Sequence, residues 1–460
     1  MPSRPYRYRL PHAVPPLDLT AMGKHLEKLE EERQEAFAMS RKLQAALIRA
    51  RNNFECHIPL SNEKEVLLEV IAPTRPASRS PRQANLSLRV EDYVRLEAFL
   101  FFVDTGTLLP PSVCPYATDE EYLSGACMGL AQDLARYGLG RATDRDVVSV
   151  SKARDLVQEV LDYLLTFDFR NGYLRRKYDG TKYALKTLET IMYELSITGT
   201  TLPEDHEDDT NLSPMEEPDT KRKRNDEPEQ SKVNLPISEL EAIRTRLEHR
   251  DDLRETLIKK CRDGQKAAKQ AIFALHRGDF DRSRKLLNQC EECITKDLLP
   301  IVDEEPPLRH GSFANVMEEY AEAKLLYVWL LGTTETIAES QLEKPSGILL
   351  KPEDFPISLE PEEFLGGLCD LSGEIGRYAV QRGTARDTEG VKQCLEANDS
   401  ICMVIQTLER LPPGIGKKID QLRRSVEKLE RMLYEMSLTE ATGGLKVETE
   451  DIDMGDHSEE

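Results

Sequence analysis

The chain has 460 residues and a formal net charge of -21 at pH 7, with 32% charged and 6% aromatic residues. This balance favours a helical protein over a β-sandwich or β-barrel, and it excludes nonspecific attraction of the whole surface to nucleic acid or an anionic membrane. Nine cysteines do not make a disulfide framework in so long a chain, and no apolar run reaches the ~20 residues of a membrane helix, so we expect an intracellular protein without a membrane span.

Segments of low hydrophobicity divide the chain into five parts. Residues 1–17, rich in Pro and Arg, and the acidic residues 445–460 are predicted to be disordered tails. Residues 203–236 are polar, charged and contain proline, which predicts a disordered acidic linker. The remaining stretches, 18–202 and 237–444, are each long enough to bury a core of their own. The chain is therefore predicted to contain two domains.

A run of basic side chains lies inside the predicted linker. It consists of Lys221, Arg222, Lys223 and Arg224. Such a run in an accessible segment is typical of a nuclear-import signal, and it also arises by chance in disordered chains. If it is an import signal, the protein is expected in both the cytoplasm and the nucleus.

The two predicted domains repeat one another. Residues 193–198 (YELSIT) match residues 434–439 (YEMSLT) at an offset of 241, and residues 121–125 (EYLSG) match residues 363–367 (EFLGG) at an offset of 242. One residue of slippage therefore lies between the two pairs of segments. Internal similarity of this kind indicates tandem copies of one fold.

Apolar residues recur at intervals of three and four in both halves, without the alternation that is typical of strands. The predicted helices of the second half cover residues 237–276, 280–295, 314–340, 361–382, 387–411 and 416–436. The predicted fold class is all-α, with two tandem helical bundles joined by the linker.

Two pairs of carboxylates border apolar stripes on separate predicted helices. Glu319 and Glu322 are three residues apart, and Asp370 and Glu374 are four apart, so each pair shares one helix face. Either pair alone is expected to be solvated helix surface. Packing the two helices side by side would gather four carboxylates, which is unfavourable without a cation. Oxygen ligands without His or Cys suit Mg²⁺ or Mn²⁺.

The predicted helix at 361–382 also carries glycines at positions 366, 367, 373 and 376, which weaken a helix. Close approach of another backbone is the usual reason for such glycines. A neighbouring helix is the commoner candidate and a nucleic-acid backbone the rarer one. The sequence leaves both open.

The second half resembles the catalytically competent TRAX-type members of the translin/TRAX family. The resemblance is carried by residues 275–280 (LHRGDF), 319–323 (EYAEA) and 364–374 (FLGGLCDLSGE). The first half is similar to the translin-type members. There the similarity is carried by residues 120–125 (EEYLSG), 174–186 (LRRKYDGTKYALK) and 193–199 (YELSITG).

This resemblance implies an all-helical fold that assembles into hollow shells and binds single-stranded RNA or DNA on the inner surface. It also implies a Mg²⁺-dependent endoribonuclease site in which Glu319, Glu322, Asp370 and Glu374 are metal ligands and catalytic groups. We therefore predict that the second domain cleaves single-stranded RNA through one or two Mg²⁺ or Mn²⁺ ions. The alternatives are a noncatalytic nucleic-acid-binding scaffold and a helical adaptor that binds only proteins.

The first half does not repeat this ligand set. With residues 90–107 placed opposite residues 317–334, Arg95 lies opposite Glu322 and Asp92 opposite Glu319. Depending on where the slip falls, the residue opposite Asp370 is Gly129 or Met128, and the residue opposite Glu374 is Asp133 or Gln132. We predict that the first domain is a noncatalytic scaffold that binds RNA.

Several basic clusters are candidates for phosphate contacts. Those assigned to nucleic-acid binding are Arg175, Arg176, Lys177, Arg282, Arg284 and Lys285, and the doublets at 417–418 and 423–424 are further candidates. Solvated helix surface is the alternative for each cluster. Since one chain would supply both subunit types, four chains are expected to build a shell of eight domains, with a separate translin subunit as a further candidate partner.

Overall fold

A computed structural model describes residues 17–55, 84–170, 172–199, 235–332 and 347–441. The basic run from Lys221 to Arg224, and nearly all of the predicted tails and linker, lie outside these ranges. Within them every regular element is helical, which confirms the all-α prediction. The same ranges contain no helix that is both long and apolar enough to cross a membrane.

The described part of the first half contains six α-helical segments. They are α1 (Thr20–Glu55), α2 (Ala84–Thr105), α3 (Asp119–Tyr122), α4 (Leu130–Thr143), α5 (Val147–Leu164) and α6 (Tyr173–Ile197). A π-helical segment, Leu123–Gly129, joins α3 to α4. Asp146 begins α5 as its N-cap, because its side chain accepts a hydrogen bond from the Ser149 amide.

The described part of the second half contains seven α-helices. They are α7 (Ile237–His276), α8 (Phe280–Glu292), α9 (Leu299–Glu304), α10 (Ser312–Leu331), α11 (Pro361–Thr384), α12 (Thr388–Gln406) and α13 (Ile415–Ala441). A π-helical segment, Cys293–Leu298, joins α8 to α9. The helix predicted over 280–295 is therefore regular α-helix only to Glu292, and residues 293–295 lie in the π-helical segment.

The contacts divide the chain into two compact units. The second-half unit comprises residues 1–31 and 253–460, and the first-half unit comprises residues 32–252. The division falls within two long helices, so each unit takes a helical end from the other half of the sequence. In the second-half unit that end contributes Leu19 and Met22 to the core, and in the first-half unit it contributes Leu240 and Ile243.

Helix α10 lies at the centre of the second-half unit. Phe313, Met317 and Tyr320 are completely buried in the core, which α11 covers on one side. Gly367 is the reason that α11 can approach so closely, because a Cβ there would lie 2.7 Å from the Ala321 Cβ. The neighbouring-helix explanation therefore holds for Gly367.

The two halves also agree in details of backbone geometry. Arg145 and Arg386 both have positive φ, at 60° and 58°, and each precedes the aspartate that caps the next helix. Their separation is the offset of 241 found in the sequence. Helix α11 is regular throughout, whereas its first-half counterpart contains the π-helical segment, which accommodates one extra residue. The slip between the repeats therefore lies within Leu123–Gly129.

Several predicted helix ends differ from the structure. The helix expected over 387–411 ends at Gln406, and the helix expected over 416–436 continues to Ala441. The helix expected over 314–340 ends at Leu331, because Gly332 has a φ of 83°, a left-handed conformation that glycine adopts without strain. The helix expected to begin at Asp387 begins at Thr388, because the Asp387 side chain caps it by accepting a hydrogen bond from the Gly390 amide at 2.8 Å.

The contact between α10 and α11 predicts the effect of one methyl group. Gly367→Ala should destabilise the protein by about 1–3 kcal/mol, because its Cβ would overlap Ala321 and the backbone of α10. Gly416→Ala is the matched control, since a Cβ at position 416 meets nothing within 4 Å. Urea unfolding of both variants measures the difference. Equal stability of the two variants would contradict this packing.

Candidate functional site

The packing of α10 against α11 brings together the four carboxylates that the sequence assigned to a metal site. Glu319 and Glu322 lie on α10, while Asp370 and Glu374 lie on α11. The negative charges of the other three carboxylates all act on Glu322. Burial raises the pKa of Glu322 to about 8, and the negative charges of Asp370, Glu319 and Glu374 add to that rise.

The other three carboxylates each contact a basic side chain of the protein. The Lys269 Nζ lies 2.9 Å from a Glu319 oxygen, and the hydrogen bond to Glu319 raises the pKa of Lys269. The Lys418 Nζ lies 2.5 Å from Asp370, and His276 contacts Glu374 through its Nε2. Glu322 therefore differs from its neighbours, which have basic partners.

A fifth carboxylate, Glu318, belongs to the same cluster. The Lys418 Nζ donates to Glu318 at 2.6 Å as well as to Asp370. Burial raises the pKa of Glu318, although the hydrogen bond from Lys418 opposes that rise. Burial lowers the pKa of Lys418, but its two carboxylate partners outweigh burial and leave the pKa raised. Lys418 thus bridges α10 and α11 from α13.

His276 is the last residue of α7, and its side chain is only 4% exposed. Its Nε2 contacts Glu374, while its Nδ1 has no hydrogen-bond partner among the described residues. The residue lies in the LHRGDF turn that carried the family resemblance, but sequence reasoning did not assign it to the site. Glu318 precedes Glu319 directly, and Lys418 is the repeat counterpart of Lys177, so both had a signal in the sequence.

The donor chemistry of the cluster suits a hard divalent cation, because its acidic ligands are all oxygen atoms. A cation near Glu322 would also offset the repulsion that raises the pKa of that carboxyl. In the described part of the chain, however, no group of three or more acidic, His or Cys side chains converges to hold a metal ion. Instead, Lys269, Lys418 and His276 supply the neighbouring positive or hydrogen-bonding groups.

The first-half unit contains a different arrangement at the equivalent place. The Arg95 guanidinium makes two hydrogen bonds to Asp133, at 2.6 and 2.5 Å. Gly129 leaves room for it, because a Cβ at position 129 would lie 2.9 Å from the Arg95 Cδ. An internal ion pair thus lies where the second half has Glu322 and Glu374, with Gly129 next to it in the position of Asp370.

The basic residues that the sequence assigned to nucleic acid differ in their surroundings. Lys177 contacts the buried Glu91 and lies over the Tyr173 ring, so it repeats the Lys418–Glu318 pair. Arg175 is half exposed and lies 3.7 Å from Asp179. The side chains of Arg176, Arg282, Arg284 and Lys285 are exposed on α6 and α8.

A family model described as the Translin family matches residues 27–199 and 252–440. The chain belongs to the Translin family. Because the model matches twice, the comparison also confirms the predicted tandem arrangement.

Individual members of the Translin family share about a quarter to a third of their residues with the matched parts of this chain. The Translin-associated protein X homolog of Schizosaccharomyces pombe is 26% identical over 215 residues, which cover 42% of this chain and 85% of that protein. Human Translin is 30% identical over 119 residues, or 23% of this chain, so the chain spans about half the length of that relative, at 52%. A structure of AfC3PO in complex with duplex RNA is 21% identical with a TM-score of 0.36, over 44% of this chain and 98% of the other.

The raised pKa of Glu322 predicts a pH-dependent stability in the metal-free protein. Between its ordinary value near 4.5 and about 8, the folded state keeps a proton that the unfolded state releases. The contribution of Glu322 to folding stability is therefore fully present below pH 4.5 and is lost as the pH rises to about 8. Over that range the free energy of unfolding falls by up to about 1.4 kcal/mol per pH unit. Glu322→Gln removes the ionisation, so its stability relative to wild type should increase from pH 5 to pH 8.

Chemical denaturation in EDTA at several pH values measures that difference. Glu292→Gln is the control, because Glu292 is an exposed acid on α8 outside the cluster. Its stability relative to wild type should not increase over the same pH range. A stability difference between Glu322→Gln and wild type that stays constant from pH 5 to pH 8 would contradict it.

Proposed function

We propose that the chain binds single-stranded RNA or DNA and that its second-half unit is an endoribonuclease dependent on Mg²⁺ or Mn²⁺. The observation that carries the proposal is the partly buried Glu322, whose pKa is raised by desolvation and by the charges of Asp370, Glu319 and Glu374. Membership of the Translin family supports nucleic-acid binding. The carboxylate cluster adds a reason to expect hydrolysis of the bound strand.

Each side chain of the cluster has a distinct part in this proposal. Glu319, Glu322, Asp370 and Glu374 would hold the metal, which when bound supplies an activated water and stabilises charge developing on the phosphate. His276 orients Glu374 through its Nε2 contact. Lys418 holds Asp370 and Glu318 together across three helices and limits the repulsion between them.

The first-half unit is proposed to be noncatalytic. Arg95 supplies a fixed positive charge at the position equivalent to Glu322, and it occupies Asp133 through two hydrogen bonds. A guanidinium in that place neutralises Asp133 and leaves it unavailable as a metal ligand, while Asp92 accepts a hydrogen bond from Arg89. This unit would serve as a scaffold and nucleic-acid-binding partner, in an assembly of four chains or together with a separate translin subunit.

A noncatalytic nucleic-acid-binding scaffold is the second candidate function. The observation that favours it is the set of basic partners on three of the four carboxylates, Lys269, Lys418 and His276. In that case these contacts would be structural, and the cluster would be held together by the protein alone. For either function, the basic run at Lys221–Arg224 is proposed to direct part of the protein to the nucleus.

Cleavage of a labelled single-stranded RNA distinguishes the two candidates. With Mg²⁺ we expect cleavage by the wild type, and a loss of about 100-fold or more in Glu322→Gln with little change in RNA affinity. Glu292→Gln is the control, because Glu292 is an exposed acid on α8 that contacts only Lys296 in the described chain. It should cleave at the wild-type rate.

Two outcomes would count against the proposed endoribonuclease. Cleavage that persists in EDTA, or in Glu322→Gln, would exclude the carboxylate cluster as its site. RNA binding by the wild type without cleavage in Mg²⁺ or Mn²⁺ would favour the scaffold instead.

A further inference from the structure

An open groove with a volume of about 590 Å³ runs between α11 and α13 in the second-half unit. Arg377, Arg424 and Lys428 line it, together with Gln381, Gln421 and the backbone of Gly373. In a chain with a net charge of -21, three cations around one groove are a local reversal of charge. Such a concentration of positive charge suits a polyanion.

The cations of this groove are free to contact a ligand to different degrees. Lys428 is exposed and makes no ion pair within the described part of the chain. The Arg424 Nε donates to the Asp420 carbonyl oxygen at 3.2 Å, which leaves the two terminal nitrogens of its guanidinium for another partner. Arg377 is half exposed and lies 3.7 Å from Glu374.

Gly373 lies on the floor of the groove and leaves that part of α11 open. A Cβ at Gly367 would overlap α10, whereas a Cβ at Gly373 would meet nothing within 4 Å. Internal packing therefore does not explain Gly373, which weakens the helix in the middle of α11. A glycine there allows an external backbone to approach the helix closely.

A second hollow adjoins the groove at Arg377. The Arg377 guanidinium stacks over the Phe273 ring at 5.4 Å, and Phe273 lines a hollow of about 280 Å³ with Arg277 and Arg282. Phe273 is 52% exposed, so its ring is accessible to a ligand. An exposed aromatic ring beside cations is the arrangement that holds stacked bases in proteins that bind single strands.

We propose that this groove binds the phosphate backbone of a single nucleic-acid strand next to the carboxylate cluster, with a base on Phe273. Arg424 and Lys428 are four residues apart, so they project one above the other at intervals of ~6 Å along α13. They can therefore contact successive phosphates of an extended strand. Gly373 precedes Glu374 in sequence, and Arg377 contacts Glu374, so a strand held in the groove passes beside the cluster.

This inference deepens the proposed function, on which it rests, by giving the strand a path to the site. The cations contact phosphates, and neither a base edge nor a 2′-hydroxyl is needed for that contact. Single-stranded RNA and single-stranded DNA of the same sequence should therefore depend equally on Arg424 and Lys428.

Fluorescence anisotropy tests the groove with the full chain, in EDTA, and a labelled 20-nucleotide single strand of RNA or DNA. The double substitution Arg424→Gln and Lys428→Gln should weaken binding by about tenfold and lower the slope of log affinity against log salt by about 1.4, the value for two lost phosphate contacts. The control is Lys296→Gln with Arg431→Gln, two exposed cations that contact Glu292 and Glu435 and do not line the groove.

Four results are distinguishable. Loss of affinity and slope in the groove variant, with both unchanged in the control, supports the groove. Equal losses in both variants would overturn it, because the effect would then come from general charge. Unchanged affinity in the groove variant would overturn the groove alone if the wild type still binds. A wild type that binds neither strand would overturn the proposed function as well.

Gly373→Ala provides an independent test of the floor. The added methyl group meets no protein atom, so the variant should unfold at the wild-type temperature or higher. Affinity for the single strand should nevertheless fall several-fold, because the methyl group projects into the space of the strand. Wild-type affinity in this stable variant would contradict close approach of a strand to α11.

Discussion

Repulsion between carboxylates that share one partly buried space is the constraint on which the second-half unit depends. Glycine at position 367 lets α11 approach α10, and that approach brings acidic side chains of both helices together. The protein offsets the repulsion with Lys418 from α13 and with Lys269 and His276 from α7. Glu322 is left with a raised pKa, and it is the residue at which a bound cation would have the largest effect.

The two units of the chain avoid this repulsion between carboxylates in different ways. In the first-half unit Arg95 and Asp133 form an internal ion pair, and Gly129 provides the space that the arginine needs. The Lys177–Glu91 pair repeats the Lys418–Glu318 pair, so the supporting interaction is kept in both copies. The difference between the units is therefore local: Arg95 replaces Glu322, Gly129 replaces Asp370, and the first half has a π-helical segment where α11 is regular.

Much of this could be predicted from the sequence, because helices and repeats leave periodic signals. The four carboxylates could be found since each pair lies within one turn of a helix, and α7 has the predicted bounds of 237–276. Lys269, His276 and Lys418 could not be assigned in the same way, because they reach the cluster from distant parts of the chain. The π-helical segment was visible only as a one-residue slip, and the different environments of Gly367 and Gly373 depend on packing.

We propose that, of the two equivalent places in the repeated units, only the second binds a divalent cation. Titration with Mn²⁺, followed by electron paramagnetic resonance of the free ion, measures this directly. The account predicts one or two ions per chain in the wild type, loss of that binding in Asp370→Asn, and wild-type binding in Asp133→Asn. Ions that remain bound in Asp370→Asn, or that are lost in Asp133→Asn, would contradict it.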